Sequence, residues 1–219
     1  MNPVLTLDHV SYSYHTPSGE TPALKDISFS VRPGSFTSIA GPSGCGKSTL
    51  LSLIAGLITP EKGCIRFYKS DAMPAAARIG YMLQHDTLLE WRTIYKNILL
   101  GLEVTHQCTE QKKRLAADMM HDYGLASFKN AHPSELSGGM RQRAALIRTL
   151  VLEPDILLLD EPFSALDYQT RLEVSDDIFR IIKEQEKTAL LVTHDISEAI
   201  AMGEQVIVLS SRPAGIKNV

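Results

Sequence analysis

Phe36-Thr37-Ser38-Ile39-Ala40-Gly41-Pro42-Ser43-Gly44-Cys45-Gly46-Lys47-Ser48-Thr49 is the stretch that decides the fold. Its first five residues read as a strand. The run from Lys47 to Leu57 is apolar on one side at helical spacing, until Thr59-Pro60-Glu61-Lys62-Gly63 stops it. Between them, residues 41–48 spell GxxxxGK[ST] in the strand–loop–helix setting that the motif requires. Glycines let backbone wind close around phosphate oxygens, and the amides of the loop and helix N-terminus point at the anion. Lys47 adds a point charge near the β- and γ-phosphates, and Ser48 supplies a hydroxyl for Mg²⁺. The bland alternative is a Gly-rich turn that binds nothing, but average residue frequencies give a chance match on the order of once in 100 chains of this length. A dinucleotide-binding turn fails, because Gly44-Cys45-Gly46 is followed by Lys47-Ser48-Thr49 with no third glycine. The residues imply a nucleoside triphosphate held by Gly41, Pro42, Ser43, Gly44, Cys45, Gly46, Lys47, Ser48 and Thr49.

Around this loop the chain alternates strands and helices. Ile27, Phe29 and Val31 alternate with polar residues as in a half-buried strand, and Cys64 to Tyr68 and Arg78 to Leu83 read as short strands. From His85 to Pro133 amphipathic helices are expected, with Leu115, Met119 and Tyr123 on one face. Continuous apolar strands return at 156–159, 189–192 and 206–209, as expected where helices cover both faces of a parallel sheet, and a helix over about 167–186 joins the first two. The fold expected is α/β: a P-loop NTPase core of mixed and parallel sheet with flanking helices and an N-terminal antiparallel β region, plus an inserted helical subdomain. It forms one domain over 1–219, with the core at 1–84 and 134–219 and the insertion at 85–133.

Composition sets bounds on function. The 219 residues carry 22 Lys and Arg against 25 Asp and Glu, a net charge of −3, so no basic excess points to nucleic acid. No apolar run approaches the roughly 20 residues of a membrane helix, and Met1 to Thr6 lacks the layout of a secretion signal. Cys45, Cys64 and Cys108 have no CxxC spacing, which argues against disulfides or a zinc knuckle and fits a reducing cytoplasm. Lys112-Lys113-Arg114 reads as a solvated helix face. Cys45 sits at a helix N-terminus, a setting that lowers thiol pKa values, so alkylation there is expected to block ATP binding by steric clash.

Two further stretches carry chemistry. The strand at 156–159 runs into Asp160-Glu161, two carboxylates at the edge where doubly wound sheets bind ligands. Asp160 is expected to hold Mg²⁺ through water, and Glu161 to orient and polarise the attacking water; a helix cap or solvated pair is the alternative. In Leu136-Ser137-Gly138-Gly139-Met140-Arg141-Gln142-Arg143, Ser137 is a good N-cap and the glycines bare amides at a helix N-terminus. This is a second anion site, or else simply a capped helix.

With LSGGMRQR the chain resembles the ATP-binding cassette family, the nucleotide-hydrolysing subunits of ABC transporters, with that family's motifs in order along nearly the whole sequence. The resemblance implies an ATPase in which two cassettes, here expected to be a homodimer, pack head to tail. Each ATP then lies between one phosphate loop and the partner's signature, matched here by Ser137, Gly138, Gly139 and Gln142. It further implies that Tyr14 stacks on adenine (a core tyrosine beside Tyr12 is the other reading) and that Gln84 touches Mg²⁺ and the attacking water. Asp167 of Ser164-Ala165-Leu166-Asp167 would link the subunits, and His194 would contact the γ-phosphate. The catalytic set implied is Glu161, His194 and Gln84, and the magnesium set Ser48, Gln84 and Asp160.

Within the family, Glu161-Pro162-Phe163-Ser164 and the lack of a fused membrane domain resemble importers. Leu88-Leu89-Glu90-Trp91-Arg92-Thr93 and Val206 to Pro213 look like the nitrate, sulfonate and taurine group, although Glu90 replaces that group's proline. Trp91 is expected either at the dock for a membrane helix or as a buried anchor. Relatives continue a few tens of residues past the position of Val219, so a missing terminal helix or a short member is expected. Expected partners are transmembrane permease subunits and, indirectly, a solute-binding protein, with the chain peripheral on the inner face of the membrane. The competing expectation is a soluble cassette ATPase acting on DNA or ribosomes, against which stand the insertion of about 50 residues, too short for long coiled coils, and the single cassette.

Overall fold

A computed structural model describes residues 2–17, 19–68 and 76–218. In chain order the first elements are β1 (Leu5–Thr16), β2 (Gly19–Val31), β3 (Phe36–Ala40), α1 (Lys47–Ile54), β4 (Lys62–Phe67), β5 (Ile79–Met82), α2 (Ile94–Val104) and α3 (Glu110–Asp122). They are followed by α4 (Gly138–Leu150), β6 (Ile156–Asp160), α5 (Tyr168–Glu184), β7 (Thr188–Thr193), α6 (Ile196–Met202), β8 (Gln205–Leu209) and β9 (Ile216–Asn218). The chain clusters into two compact units, one of residues 1–79, 155–161 and 182–219, the other of residues 80–154 and 162–181.

The first unit contains two sheets. β1 is the centre of an antiparallel sheet in the order β2-β1-β4, with Leu5 opposite Val31 on one side and Phe67 on the other. In the second sheet β6, β7, β3 and β8 lie side by side and parallel, and β9 closes the edge antiparallel to β8. Every residue of β3, β6 and β7 is buried, which is why 156–159 in β6 and 189–192 in β7 read as unbroken apolar runs; β3 buries Thr37 and Ser38 as well, and β8, read as a third such run, is only partly buried. The register sets Ala40 beside Thr193 and Asp160 beside Val192, so these parallel strands deliver their C-terminal ends, and the residues that follow, to one edge. Helix α1 ends at Ile54 rather than Leu57, because Gly56 turns to φ 72° and its amide bonds back to Leu53.

The second unit is mainly helical, with α2 packed on α4 and α3 beside both. Thr93, Thr109 and Ser137 each cap their helix by accepting a hydrogen bond from an amide of the first turn. The buried stripe of α3 is Ala116, Met119 and Met120, whereas Leu115 and Tyr123 are only half-buried. Asn97 is fully buried and fully satisfied. Its amide nitrogen donates to the carbonyls of Leu89, Arg92 and Thr93 at 3.0–3.1 Å, and its oxygen accepts from the Leu89 amide at 2.7 Å. That clamp shapes the turn that carries Trp91, which is 77% exposed, so the buried-anchor reading of Trp91 does not hold. Among the described residues, no helix is long and apolar enough to cross a membrane.

Candidate functional site

In the first unit the phosphate loop takes its shape from Gly46, the N-cap of α1, at φ 128°. A Cβ there would meet Leu24 Cδ2 at 2.9 Å and the Ala23 carbonyl at 3.0 Å, so neither conformation nor space admits a side chain. Lys47 is only 4% exposed and folds back over the loop. Its ammonium donates to the carbonyls of Gly41 and Pro42 at 2.9 and 3.1 Å and lies 3.4 Å from Glu161 Oε1. The other oxygen of Glu161 is 3.0 Å from His194 Nδ1. Glu161 holds this place with φ at 45°, a conformation that a β-carbon disfavours, while its amide donates to the Val192 carbonyl at 2.9 Å. The Ser48 hydroxyl donates to Asp160 Oδ1 at 3.0 Å. A hydroxyl beside a carboxylate is a hard-oxygen donor set of the kind Mg²⁺ takes, so these residues fit that ion.

Tyr14 lines the same cleft, together with Gly44, Gly46, Lys47, Ser48, Thr49 and Glu161. Its hydroxyl shares a 2.9 Å hydrogen bond with Thr49 Oγ1, its ring meets Tyr12 edge-on, and it is 39% exposed. Tyr14 is therefore not a core tyrosine. Of the loop residues, Cys45 departs from expectation. It is 2% exposed, with its sulfur turned toward Gly41, so alkylation there requires the loop to open. Only its backbone belongs to the phosphate loop.

Gln84, Ser137, Gly138, Gly139, Gln142 and Asp167 belong to the second unit. Ser137, Gly138 and Gly139 line a cavity together with Leu166 and Asp167. Both glycines are sterically required, since a Cβ on Gly138 would lie 2.8 Å from Leu166 Cδ2 and one on Gly139 2.6 Å from Val174 Cγ2. Gln142 does not join them. It is 3% exposed, and its Oε1 has no hydrogen-bond partner among the described residues. The Asp167 carboxylate accepts from the Thr170 amide at 3.1 Å, capping α5, and hydrogen bonds from the Thr170 side chain and amide hold it below its ordinary pKa. Gln84 Nε2 donates to Ser164 Oγ at 3.2 Å.

Sequence reasoning missed two groups. Asp86 receives Arg141 Nε at 2.8 Å and Nη2 at 3.2 Å, while Arg148 donates to the carbonyls of Asp86 and Thr87. The signature helix is thus tied to the segment that follows Gln84. Burial pushes the Asp86 carboxyl up, but hydrogen bonds from Arg141 and the Leu88 amide, with the charges of Arg141 and Arg148, outweigh it and hold it below its usual value. The second is Arg212, which lines the phosphate-loop cleft although Ser211-Arg212-Pro213 had suggested only a likeness between relatives.

The description of the ABC transporter family matches residues 24–164. The chain is 48% identical over 215 residues to an uncharacterized ABC transporter ATP-binding protein of Bacillus subtilis, covering 98% of this chain and 83% of that one. It is 44% identical over 193 residues to an aliphatic sulfonates import ATP-binding protein of Rhodococcus jostii, covering 88% and 75%. Among solved structures it is similar to a dimeric post-hydrolysis state of an ATP-binding cassette bound to ADP and Pi, with TM-score 0.77, 30% identity and 98% and 99% coverage. With a phosphate loop, an acid pair and a glycine signature in one chain, and relatives this similar over nearly all of it, this chain belongs to the ABC transporter family and is an ATPase cassette of that family.

Proposed function

We propose that this chain is the ATP-hydrolysing subunit of a multi-chain importer for a small solute, an anion such as nitrate, a sulfonate or taurine. The observation that carries the ATPase is the Glu161 carboxylate, set between Lys47 and His194 at the end of β6. The import assignment rests on the 44% identity to a sulfonate import ATP-binding protein. In this reading Tyr14 takes the adenine, residues 41–49 cradle the phosphates, and Lys47 neutralises charge developing at the γ-phosphate. Glu161 accepts a hydrogen bond from the attacking water and aligns it, while His194 contacts the γ-phosphate and orients Glu161. Ser48 and Asp160 would hold Mg²⁺, which would supply charge neutralisation at the phosphate oxygens.

The active unit is a homodimer in which Ser137, Gly138 and Gly139 of one protomer complete the partner's ATP site, as the dimeric cassette relative supports. We assign Gln142 to supporting that helix rather than to ATP, because it is buried. The inserted helical segment at 85–133, with exposed Trp91, would dock permease subunits on the inner face of the membrane, and a solute-binding protein would act through them. The chain's similarity to import proteins disfavours a role on DNA or ribosomes.

The test is steady-state ATPase activity with Mg²⁺ across a wide range of protein concentration. Specific activity that rises with concentration and saturates supports the dimer. Activity independent of concentration, together with a monomeric mass for the ATP-bound Glu161→Gln protein, would refute it.

A further inference from the structure

We infer that Arg212 is a nucleotide-binding residue whose guanidinium covers the base that Tyr14 stacks on. The inference deepens the ATP-site reading and rests on it. Arg212 comes from the far end of the chain, yet its guanidinium carbon lies 5.8 Å from the centroid of the Tyr14 ring, and both side chains line the cleft of the phosphate loop. Its position is built. The Ser210 amide donates to the Gly215 carbonyl and the Gly215 amide to Ser210 Oγ, both at 2.9 Å, which closes the turn that carries Arg212. That turn is stitched to β2, since the Ala214 amide donates to the Ala23 carbonyl at 2.9 Å and the Lys25 amide to the Ala214 carbonyl at 2.8 Å. Ala23 and Leu24 of the same strand press on Gly46 of the phosphate loop, so the turn and the loop share one support.

Among the described residues the guanidinium is anchored by a hydrogen bond at one point. Nε donates to the Pro22 carbonyl at 3.1 Å, which holds the guanidinium in place beside Tyr14. A planar cation with free edge donors suits a purine base, because it can lie on the π-face while its N–H groups reach ring nitrogens or ribose oxygens. Two stacked contacts of about 3.5 Å each slightly exceed 5.8 Å, so a base between Tyr14 and Arg212 needs the side chain to shift on the order of 1 Å. A long flexible stem makes such a shift easily. Lys47 already supplies a cation at the phosphate loop, its ammonium held on the carbonyls of Gly41 and Pro42, which leaves the base as the element served by Arg212.

The experiment measures the affinity of the purified chain for ATP and for inorganic tripolyphosphate, each with Mg²⁺, in wild type, Arg212→Ala and Arg212→Lys. Loss of a cation–π and edge contact should weaken ATP binding by roughly 3- to 30-fold in Arg212→Ala, with Arg212→Lys in between and tripolyphosphate affinity unchanged. Melting without nucleotide checks that the turn still folds, and Arg212→Lys decides the matter if Arg212→Ala does not fold. ATP affinity equal to wild type in the variants overturns the inference, and so does an equal loss for ATP and tripolyphosphate. A wild-type chain that binds no ATP would overturn the ATP-site reading itself, an outcome distinct from either.

Discussion

Glu161 and His194 are joined by a 3.0 Å contact between Oε2 and Nδ1, and the remaining Glu161 oxygen faces Lys47 at 3.4 Å. One carboxylate therefore links the phosphate-binding cation to the histidine after β7, and its φ of 45° shows that the backbone accepts strain to hold it there. A group so placed can align a water without moving. Glu161→Gln keeps the shape and the hydrogen bonds but removes the negative charge. ATP binding should persist, and turnover should fall by at least ~10²-fold, about 2.7 kcal/mol of barrier. Single-turnover hydrolysis within a few-fold of wild type would exclude Glu161 from the chemical step.

Thiol labelling separates what sequence suggests about Cys45 from what packing permits. Cys45 is buried, and Cys64 and Cys108 are half-exposed. A bulky disulfide reagent should titrate two thiols quickly in the native protein and the third only on unfolding. Cys45→Ser, which leaves the loop backbone intact, should bind ATP nearly normally. Rapid labelling of Cys45 in the folded chain would mean that the loop opens readily.

The phosphate loop, the acid pair and the signature were legible because each is a contiguous run whose chemistry demands particular residues at fixed spacing. Strands β6 and β7 were legible because burial on both faces leaves the unbroken apolar runs at 156–159 and 189–192. Contacts between distant segments were not. Nothing in the order of residues joins Arg212 to Tyr14, or Arg141 and Arg148 to the segment at Asp86, since those meetings depend on how turns are stitched to neighbouring strands and helices. The face of α3 was misread for a related reason. Met119 belongs to both the Leu115–Tyr123 stripe and the Ala116–Met120 stripe, and packing against α2 and α4 selects the second. The inward turn of Cys45 depends on its contacts across the loop, which spacing does not encode.

Acid should dissolve the bond between the signature helix and the segment after Gln84. The Asp86 carboxyl is held below its unfolded value of 3.8, so the ionised form is favoured by folding. Its contribution is complete at pH values above that figure and is lost as pH falls through it toward the lower folded value. Asp86→Ala should cost about 1–3 kcal/mol at pH 7, mainly by leaving Arg141 short of a partner. The difference from wild type in urea titrations should shrink as pH is lowered through and below 3.8. A difference that stays constant with pH would assign the loss to packing rather than charge.

The signature glycines should separate packing from chemistry. Val174 is β-branched and stiff, so its methyl cannot yield to a Cβ on Gly139 2.6 Å away, whereas the Leu166 methyl facing Gly138 sits at the end of a flexible side chain. Gly139→Ala should therefore lower stability by about 1–3 kcal/mol and Gly138→Ala by less, while Ser137→Ala loses the cap on the Met140 amide at a cost of about 1 kcal/mol. If these residues only build a helix, ATPase activity at a temperature where every variant is folded should match wild type. If they complete a partner's pocket, Ser137→Arg should abolish activity in the homodimer. Mixing it with Lys47→Ala should then recover activity, because one pocket of the mixed dimer combines an intact phosphate loop with an intact signature. Recovery can arise only if the two motifs act across protomers, since neither parent chain holds both intact, and mixtures that stay inactive would mean that the motifs act within one chain or that both pockets must be intact.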